Sequence, residues 1–404
     1  MCANGADALY RAVNCFPTAH ELLLKCALVF GANGSGKSNF IGAFSFMKEI
    51  VTAEISKQSL LISTAHAAHS FCFHEEAETK PMSFEACFLI DDVMYKYGFA
   101  LSRGKVVQEH LYKKQQRRTE VFRRNGPSFG SISSGKDMKN VEHLKQNVRE
   151  DTLFLSLSNF GNNELAMKIY EWFDRIQIFS ADNIGAQLST TVDYLEKDAK
   201  GKEKVLSLLQ HADMNISNFE VDVTDEANLR KSPDSSVKRR APDAMRDLLR
   251  KKSVNLIIKR PFYDASWTAS GTAKTDISYE SAGTRKLFEI AGPIVSALEN
   301  GDIVLIDEID ARLHPVLVRN LVMMFNSLSQ NPNHAQLICT THDVLLLEEE
   351  LRRDQIYLTE KDRRGVSTLY SLSDFKGVRK DSKLLKQYLL GAFGAVPKVR
   401  DYFT

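Results

Sequence analysis

The chain has 404 residues, of which 43% are hydrophobic and 26% are charged, and its formal net charge is only +2. This composition is ordinary for a globular protein with two or more packed units, and it excludes a chain that is strongly basic throughout, so any nucleic-acid binding has to come from a local patch. No apolar run approaches the roughly 20 residues of a membrane span, and the first residues do not read as a signal peptide, so we expect no membrane association.

The six cysteines show no paired spacing along the chain. Disulfide frameworks and zinc sites use cysteines at short, repeated intervals, which are absent here. The cysteines therefore indicate reduced thiols in a cytoplasmic protein.

Residues 31–38 read Gly-Ala-Asn-Gly-Ser-Gly-Lys-Ser and fit the phosphate-binding loop G-x-x-x-x-G-K-[ST]. A short apolar run over 27–30 predicts a buried strand before the loop, and apolar residues at helical spacing predict a helix after it. A glycine-rich turn without a ligand is the alternative, but both flanks favour the loop. Its backbone N–H groups and the helix N-terminus would hold phosphate, Lys37 would reach the β- and γ-phosphates of ATP, and Ser38 would bind Mg²⁺. The predicted nucleotide-binding residues are Gly31, Asn33, Gly34, Ser35, Gly36, Lys37, Ser38 and Asn39.

The chain between 71 and 114 changes to short strand patterns. Residues 83–90 and 93–99 read as two strands joined by a turn at Asp91 and Asp92, which predicts an antiparallel side layer. Residues 139–215 are mostly helical by pattern, and residues 223–243 are polar and read as a linker.

Residues 230–260 contain eleven Lys or Arg and three Asp. A basic cluster of this kind predicts a phosphate-contact surface for DNA or RNA. A solvated loop and helix face explains the charge equally well, because few aromatic residues are interleaved with it.

Residues 281–284 read Ser-Ala-Gly-Thr and open a stretch with apolar residues at helical spacing. Ser281 and Gly283 at a helix start predict a second anion-binding end, although an ordinary N-cap gives the same pattern. Pro293 lies inside this stretch, so we expect the helix to kink or restart there.

Two later apolar strands end in polar side chains. Residues 302–308 end in Asp307, which would bind the Mg²⁺ shell, and Glu308, which would orient or deprotonate the attacking water. Residues 336–343 end in Thr-Thr-His-Asp, where His342 would sense the γ-phosphate or serve a merely structural role. Lys37, Glu308 and His342 are therefore the predicted catalytic residues of a Mg²⁺-dependent ATPase.

Four motifs follow one another in the order found in ABC-type ATPases. They are the phosphate loop, the Ser-Ala-Gly-Thr signature, the strand that ends in Asp-Glu and the strand that ends in Thr-Thr-His-Asp. The stretches GANGSGKSNFI, SAGTRKLFEIAG, LIDEIDARLHP and TTHD, with YKYGFAL and TEVFRRNG, resemble the ABC-like, AAA-type ATP-binding proteins related to the OLD and RloA families of bacterial defence ATPases. This resemblance implies an α/β ABC-type ATPase (P-loop NTPase) head with an antiparallel β side layer and a helical insertion. It also implies that Ser281 and Gly283 face the ATP of a second subunit, with Asp310 at the seam of a homodimer or larger homo-oligomer.

The same resemblance divides the chain into three segments. An N-terminal ATPase lobe covers 1–125, a mainly helical insertion with the basic linker covers 126–275, and a C-terminal lobe covers 276–404. Members of the family usually carry an aromatic-Arg-Ser-Phe strand near their start, upstream of what matches residues 1–22. It is absent here, so either the start is truncated or Met1 is a misassigned start, and the base-stacking contact is missing or supplied elsewhere. No Q-loop glutamine is identified.

Three functions compete. The first is an ATP-hydrolysing switch that controls a separate nuclease or effector, as in bacterial anti-phage and restriction-linked systems. The second is a RecF- or SMC-like ATPase that acts on DNA, although no sustained heptads predict coiled-coil arms. The third is a transporter ATPase, which the 270 residues between Lys37 and Asp307 make the least favoured. Only 62 residues follow His342, too few for a fused nuclease, so a nuclease would be another chain.

Overall fold

The computed structural model describes residues 1–4, 8–69, 71, 73–78, 80–128, 131–180, 188–198, 200–212, 215–225, 252–378 and 383–397. The chain forms two units. Unit 1 contains Met1–Ile178, Leu305–Asp307 and Gln336–Thr404, and unit 2 contains Phe179–Val304 and Glu308–Ala335.

The described residues form helices and strands, with runs of strands at β1–β3, β4–β8 and β10–β12. The α-helices are α1 (Arg11–Asn14), α2 (Lys37–Thr52), α3 (Ile55–His69), α4 (Phe154–Phe160), α5 (Glu164–Arg175), α6 (Leu188–Lys197), α7 (Gly201–His211), α8 (Ala282–Asn300), α9 (Pro315–Asn326) and α10 (Leu384–Leu389). The strands are β1 (Cys15–Pro17), β2 (Leu22–Leu24), β3 (Cys26–Gly31), β4 (Met82–Ile90), β5 (Val93–Ser102), β6 (Lys105–Lys114), β7 (Arg118–Asn125), β8 (Ile132–Ser134), β9 (Gln177–Phe179), β10 (Asn218–Asp225), β11 (Lys252–Tyr263), β12 (Ala269–Asp276), β13 (Ile303–Ile306), β14 (Gln336–Thr340), β15 (Ile356–Lys361) and β16 (Ser367–Ser371). Within the described ranges, no helix is both long enough and apolar enough to cross a bilayer.

A six-stranded sheet in the order β16-β15-β3-β14-β13-β9 forms the centre of unit 1, and β9 and β13 carry the chain across its boundary. Strand β3 is parallel to both of its neighbours, β14 and β15, whereas β16 returns antiparallel to β15. All six residues of β3 are buried, as expected for a strand that has neighbours on both sides and is covered on both faces. The buried strand predicted before the phosphate loop is therefore confirmed.

A second sheet of unit 1 has five strands in the order β4-β5-β6-β7-β8. Its first pair is the predicted antiparallel hairpin, and Asp91 and Asp92 form the turn with φ angles of 49° and 58°. Two successive left-handed residues are what a two-residue hairpin turn of type I′ requires, and aspartate tolerates that conformation. Phe88 of β4 stacks on Trp172 of α5 with ring centroids 4.3 Å apart, so helix α5 packs on this sheet.

A buried carboxylate joins the five-stranded sheet to α4. Glu109 of β6 accepts hydrogen bonds from the backbone N–H groups of Phe154 (2.7 Å) and Leu155 (3.0 Å), at the first turn of the helix, and from the Tyr97 hydroxyl (3.0 Å). Burial raises the pKa of Glu109, while the nearby Arg124 guanidinium and the two amides act in the opposite direction. The sequence pattern contains no signal for this contact.

Unit 2 contains α8, which runs through Pro293 as one helix from Ala282 to Asn300. Of the two expected outcomes, a kink or a restart at Pro293, the restart is therefore wrong. A proline lacks the N–H that would bond to the carbonyl of Glu289, one turn earlier. The Thr191 hydroxyl of α6 lies 2.9 Å from that carbonyl oxygen and 2.8 Å from the Phe288 carbonyl oxygen, and it accepts from Gly292 N at 3.1 Å. One hydroxyl thus replaces the hydrogen bond that Pro293 removes.

Replacing Thr191 by valine is expected to lower the free energy of unfolding by about 1–3 kcal/mol, because a buried carbonyl and a buried N–H lose their partner. The measurement is the midpoint of chemical unfolding of each variant. Thr272, which is exposed on β12, provides the matched control Thr272→Val. An unchanged midpoint for Thr191→Val would show that the hydroxyl does not stabilise α8.

A three-stranded antiparallel sheet of β10, β11 and β12 in unit 2 was not predicted. Residues 226–251, which carry most of the basic cluster proposed for nucleic-acid binding, lie outside the described residues. Two basic side chains at its described end are paired with acids, since Lys259 contacts Glu220 and Arg260 donates to Glu280 at 2.8 Å. These two cations are therefore partly neutralised.

Candidate functional site

The phosphate loop lies between β3, which ends at Gly31, and α2, which begins at Lys37. Gly34 and Gly36 have φ angles of 71° and 107°, a left-handed backbone that glycine adopts at little cost. Lys37 is only 5% exposed, and its Nζ donates to the carbonyl oxygens of Gly31 (2.9 Å) and Ala32 (3.1 Å). The ammonium group thus already lies inside the loop, where phosphate oxygens would compete with these carbonyls for it.

The hairpin of β15 and β16 packs against this loop. The hydroxyls of Ser35 and Thr359 lie 2.6 Å apart, and the Thr359 hydroxyl also donates to the Phe30 carbonyl at 3.3 Å. A Cβ built at Gly36 would lie 2.6 Å from Ser367 Oγ, so the backbone of the loop approaches β16 too closely for a side chain. This support has no signal in the sequence, because Thr359 lies 324 positions after Ser35 and belongs to no motif.

Asp307 follows the last residue of β13 and is 6% exposed. Its Oδ1 accepts a hydrogen bond of 2.5 Å from the hydroxyl of Thr340, the last residue of β14. The ends of these two strands therefore meet, and Thr340 fixes one oxygen of the carboxylate. The sequence prediction included this strand end but assigned no role to Thr340.

The donor set of Ser38 and Asp307 fits Mg²⁺. This ion takes oxygen ligands, usually one or two from protein side chains, and completes its octahedron with water and phosphate oxygens. A hydroxyl and a carboxylate beside a phosphate loop meet that requirement without a dedicated cage. Within the described residues, no three or more His, Cys, Asp or Glu side chains are grouped as metal ligands.

His342 also belongs to unit 1, two residues beyond β14, and its side chain is exposed. The next residue, Asp343, donates its backbone N–H to the Thr341 hydroxyl at 2.9 Å, and its carboxylate accepts from Leu345 N at 3.0 Å. These bonds give the chain after β14 a defined turn from which the imidazole projects.

Glu308 is the first residue of the second part of unit 2 and has a φ angle of 50°. A non-glycine residue in the left-handed region costs roughly 1–2 kcal/mol, and such strain is concentrated at functional sites. The Glu308 carbonyl accepts from Ala311 N at 2.9 Å, and the Asp310 carbonyl accepts from Leu313 N at 3.2 Å. Glu308 and Asp310 are therefore both held in one tight turn.

The predicted second anion-binding end is the N-terminus of α8. Ser281 is its N-cap residue, and the Ser281 Oγ accepts from Thr284 N at 3.1 Å. A Cβ built at Gly283 would lie 2.6 Å from the Arg312 carbonyl oxygen, so the helix start packs directly on the turn that follows Asp310. Within unit 2, the structure thus brings the Ser-Ala-Gly-Thr signature and the Asp310 turn together.

The predicted site residues fall into two groups. Unit 1 holds the loop residues from Gly31 to Asn39 together with Asp307 and His342, and unit 2 holds Glu308, Ser281, Gly283 and Asp310. The roles assigned to these residues remain predictions.

The chain is similar to proteins of one described family and to a solved ATPase head. Residues 26–348 match the model of the family described as "AAA domain, putative AbiEii toxin, Type IV TA system". Among solved structures, the chain is similar to the one described as "Crystal structure of the SmcHead bound to the C-winged helix domain of ScpA", with 14% identity, coverage of 87% of this chain and 91% of that chain, and a TM-score of 0.42. No curated protein sequence matches the chain.

The family model covers most of the chain. The predicted fold class, an α/β P-loop ATPase head with an antiparallel side layer, is confirmed. The chain belongs to the AAA-domain family described as putative AbiEii toxin of type IV toxin–antitoxin systems.

Proposed function

We propose that this protein is a Mg²⁺-dependent ATPase of the ABC type that closes as a dimer on ATP and controls a separate effector. The observation that carries the proposal is the set of polar groups at the carboxyl ends of the central strands. There β3 leads into a glycine loop that surrounds the Lys37 ammonium, and β13 and β14 end in the bonded pair of Asp307 and Thr340.

The chemistry follows from the side chains at this edge. Lys37 exchanges its bonds to the loop carbonyls for bonds to the β- and γ-phosphates, and the N–H groups at the start of α2 bind the same anion. Ser38 and Asp307 would hold Mg²⁺, which neutralises charge on the phosphates during transfer. Glu308 orients or deprotonates the attacking water, and His342 senses the γ-phosphate.

A second copy of the chain completes each site. The N-terminus of α8 is a positive helix end capped by Ser281, and Gly283 allows the helix start to pack on the turn that follows Asp310. In the ABC arrangement this end binds the γ-phosphate of ATP held by the partner. ATP then joins two subunits through two identical composite sites with Asp310 at the seam, and hydrolysis releases them.

The closed and open states provide a signal that another protein can bind selectively. The resemblance to the OLD and RloA families, and a family description that names a toxin of toxin–antitoxin systems, favour a bacterial defence system with a separate nuclease or other effector. Nucleic-acid binding through 230–260 would be an additional, salt-sensitive interaction.

The experiment is a comparison of ATP binding and hydrolysis by wild-type protein and Lys37→Ala. The variant is expected to bind ATP about 10- to 150-fold more weakly, because one charge-assisted hydrogen-bond donor to the phosphates is lost. Lys57, an exposed residue of α3, supplies the control Lys57→Ala, which should behave as wild type. If wild type and Lys37→Ala bind and hydrolyse ATP equally, the loop is not a nucleotide site.

A further inference from the structure

A cavity of about 470 Å³ opens on unit 1 between the hairpin of β15 and β16 and the chain that follows α10. We call it the aromatic cavity, because three rings line it together with two carboxylates. The described residues that line it include no Lys, Arg or His. The rings and carboxylates belong to Glu360, Tyr370, Asp374, Phe375 and Phe393.

The three rings form one connected cluster. The centroid of the Phe375 ring lies 5.7 Å from that of Tyr370 and 5.5 Å from that of Phe393. The Tyr370 hydroxyl donates to the Phe393 carbonyl oxygen at 2.8 Å and so connects β16 to the chain after α10. The face of an aromatic ring carries partial negative charge and attracts cations. Rings beside carboxylates therefore favour a cationic ligand over a neutral or an anionic one.

Glu360 brings its negative charge close to these rings. A Cβ built at Gly394 would lie 2.7 Å from Glu360 Oε2 and 2.8 Å from the Tyr370 hydroxyl oxygen, so both groups lie against this glycine. Burial and, after it, the charge of Glu360 raise the pKa of Tyr370 to about 12. The phenol therefore stays uncharged at neutral pH, and a carboxylate stands beside neutral rings.

A second cavity, of about 340 Å³, is also lined by Glu360 and Gly394. We call it the leucine cavity, because Leu389 and Leu390 at the end of α10 line it as well. These two side chains are 57% and 76% exposed, so they can still gain free energy by covering an apolar group. Glu360 thus lies where an aromatic cavity and an apolar cavity meet.

We propose that the two cavities together bind a segment of a partner protein, with an arginine side chain in the aromatic cavity and the next, apolar side chain in the leucine cavity. The charge of the aromatic cavity is complementary to a guanidinium group, which can stack on a ring while its N–H groups donate to the Glu360 carboxylate. A small free cation would fill the aromatic cavity alone and leave the leucines in water. The inference does not depend on a nucleotide at the phosphate loop.

The first test uses wild-type protein and two capped dipeptides that differ only in charge. N-acetyl-arginyl-leucine amide is expected to bind saturably in a ligand-observed NMR titration. The citrulline counterpart, which is similar in shape but uncharged, should bind about 10- to 150-fold more weakly, because a charge-assisted hydrogen bond is lost. Tetramethylammonium, which represents a free cation, should bind more weakly than the arginine peptide.

The second test places the interaction on the named side chains. Glu360→Gln should weaken binding of the arginine peptide by about the same 10- to 150-fold and remove the preference over citrulline. Phe375→Leu should weaken it about 2- to 30-fold, as the loss of one cation–π contact predicts. The matched controls Glu171→Gln and Phe160→Leu change exposed residues of α5 and α4 and should bind as wild type does. The unfolding midpoint of each variant shows whether it is folded.

The results decide between an arginine-bearing partner and other occupants. Loss of the arginine preference in folded Glu360→Gln, with unchanged binding of the citrulline peptide, supports the inference. Equal binding of the two peptides by wild type, no saturable binding of either, or a preference for arginine that persists in Glu360→Gln would overturn it. Tetramethylammonium that binds as tightly as the arginine peptide would overturn the protein partner in favour of a free organic cation.

Discussion

Replacing Glu308 by glutamine is expected to slow ATP hydrolysis by roughly 10²- to 10⁴-fold, the usual contribution of a positioned general base. The amide keeps the size of the carboxylate but cannot take the proton of the attacking water. ATP affinity should stay within a few-fold of wild type, because Lys37 and the loop that hold the phosphates are untouched. The measurement combines single-turnover hydrolysis with equilibrium ATP binding.

The control for this variant is Glu171→Gln, which makes the same chemical change at an exposed position of α5. It should hydrolyse ATP as wild type does. Wild-type turnover by Glu308→Gln would contradict the assignment of Glu308, and loss of ATP binding would indicate that the variant acts on the fold or on the nucleotide rather than on the water.

Replacing Ser281 by arginine is expected to abolish ATP-dependent association and, with it, hydrolysis. The bulky cation would occupy the N-terminus of α8, where the backbone of Gly283 already lies against the turn after Asp310. A single subunit should still bind ATP, since Lys37 and the phosphate loop are unchanged in this variant. Hydrolysis by this variant at the wild-type rate would contradict a composite site.

The Ser281→Arg substitution also removes the N-cap of α8, which lowers the stability of the protein. This effect has to be separated from the loss of association. An N-cap contributes about 0.5–2 kcal/mol to stability, so Ser281→Ala shows how much of the effect comes from the cap. Ser329→Arg adds the same cation at an exposed position of unit 2 and should associate normally. The measurements are light scattering with ATP, and ATP affinity of the separate subunit.

Local motifs were predictable because neighbouring residues determine them. The phosphate loop, the Asp91–Asp92 turn and the strands that precede Asp307 and His342 each follow from a few consecutive residues, and all of them are present. Polar contacts between distant segments were not predictable. The bond between Ser35 and Thr359 and the carboxylate of Glu109 at the start of α4 depend on tertiary packing, and no local pattern indicates them.

Two expectations failed or fell short for the same reason. The proline rule predicted a kink or a restart at Pro293, but Thr191 reaches the carbonyl that the proline cannot bond, and α8 does not restart. The strands β10, β11 and β12 follow a segment that reads as helical and polar, and their pairing joins residues up to 41 positions apart, such as Asn218 and Lys259. In both cases a long-range contact overrides a local preference.

The most direct test of the ATP-driven switch is sedimentation velocity of Glu308→Gln without nucleotide, with ADP and with ATP. One chain has a mass of 45.5 kDa. The account predicts that the protein sediments as a species of twice that mass, or as a larger oligomer built from it, only with ATP, and that adding Ser281→Arg to the same chain restores the behaviour seen with ADP. Identical sedimentation in all three conditions, or ATP-dependent association that persists in the double variant, would contradict it.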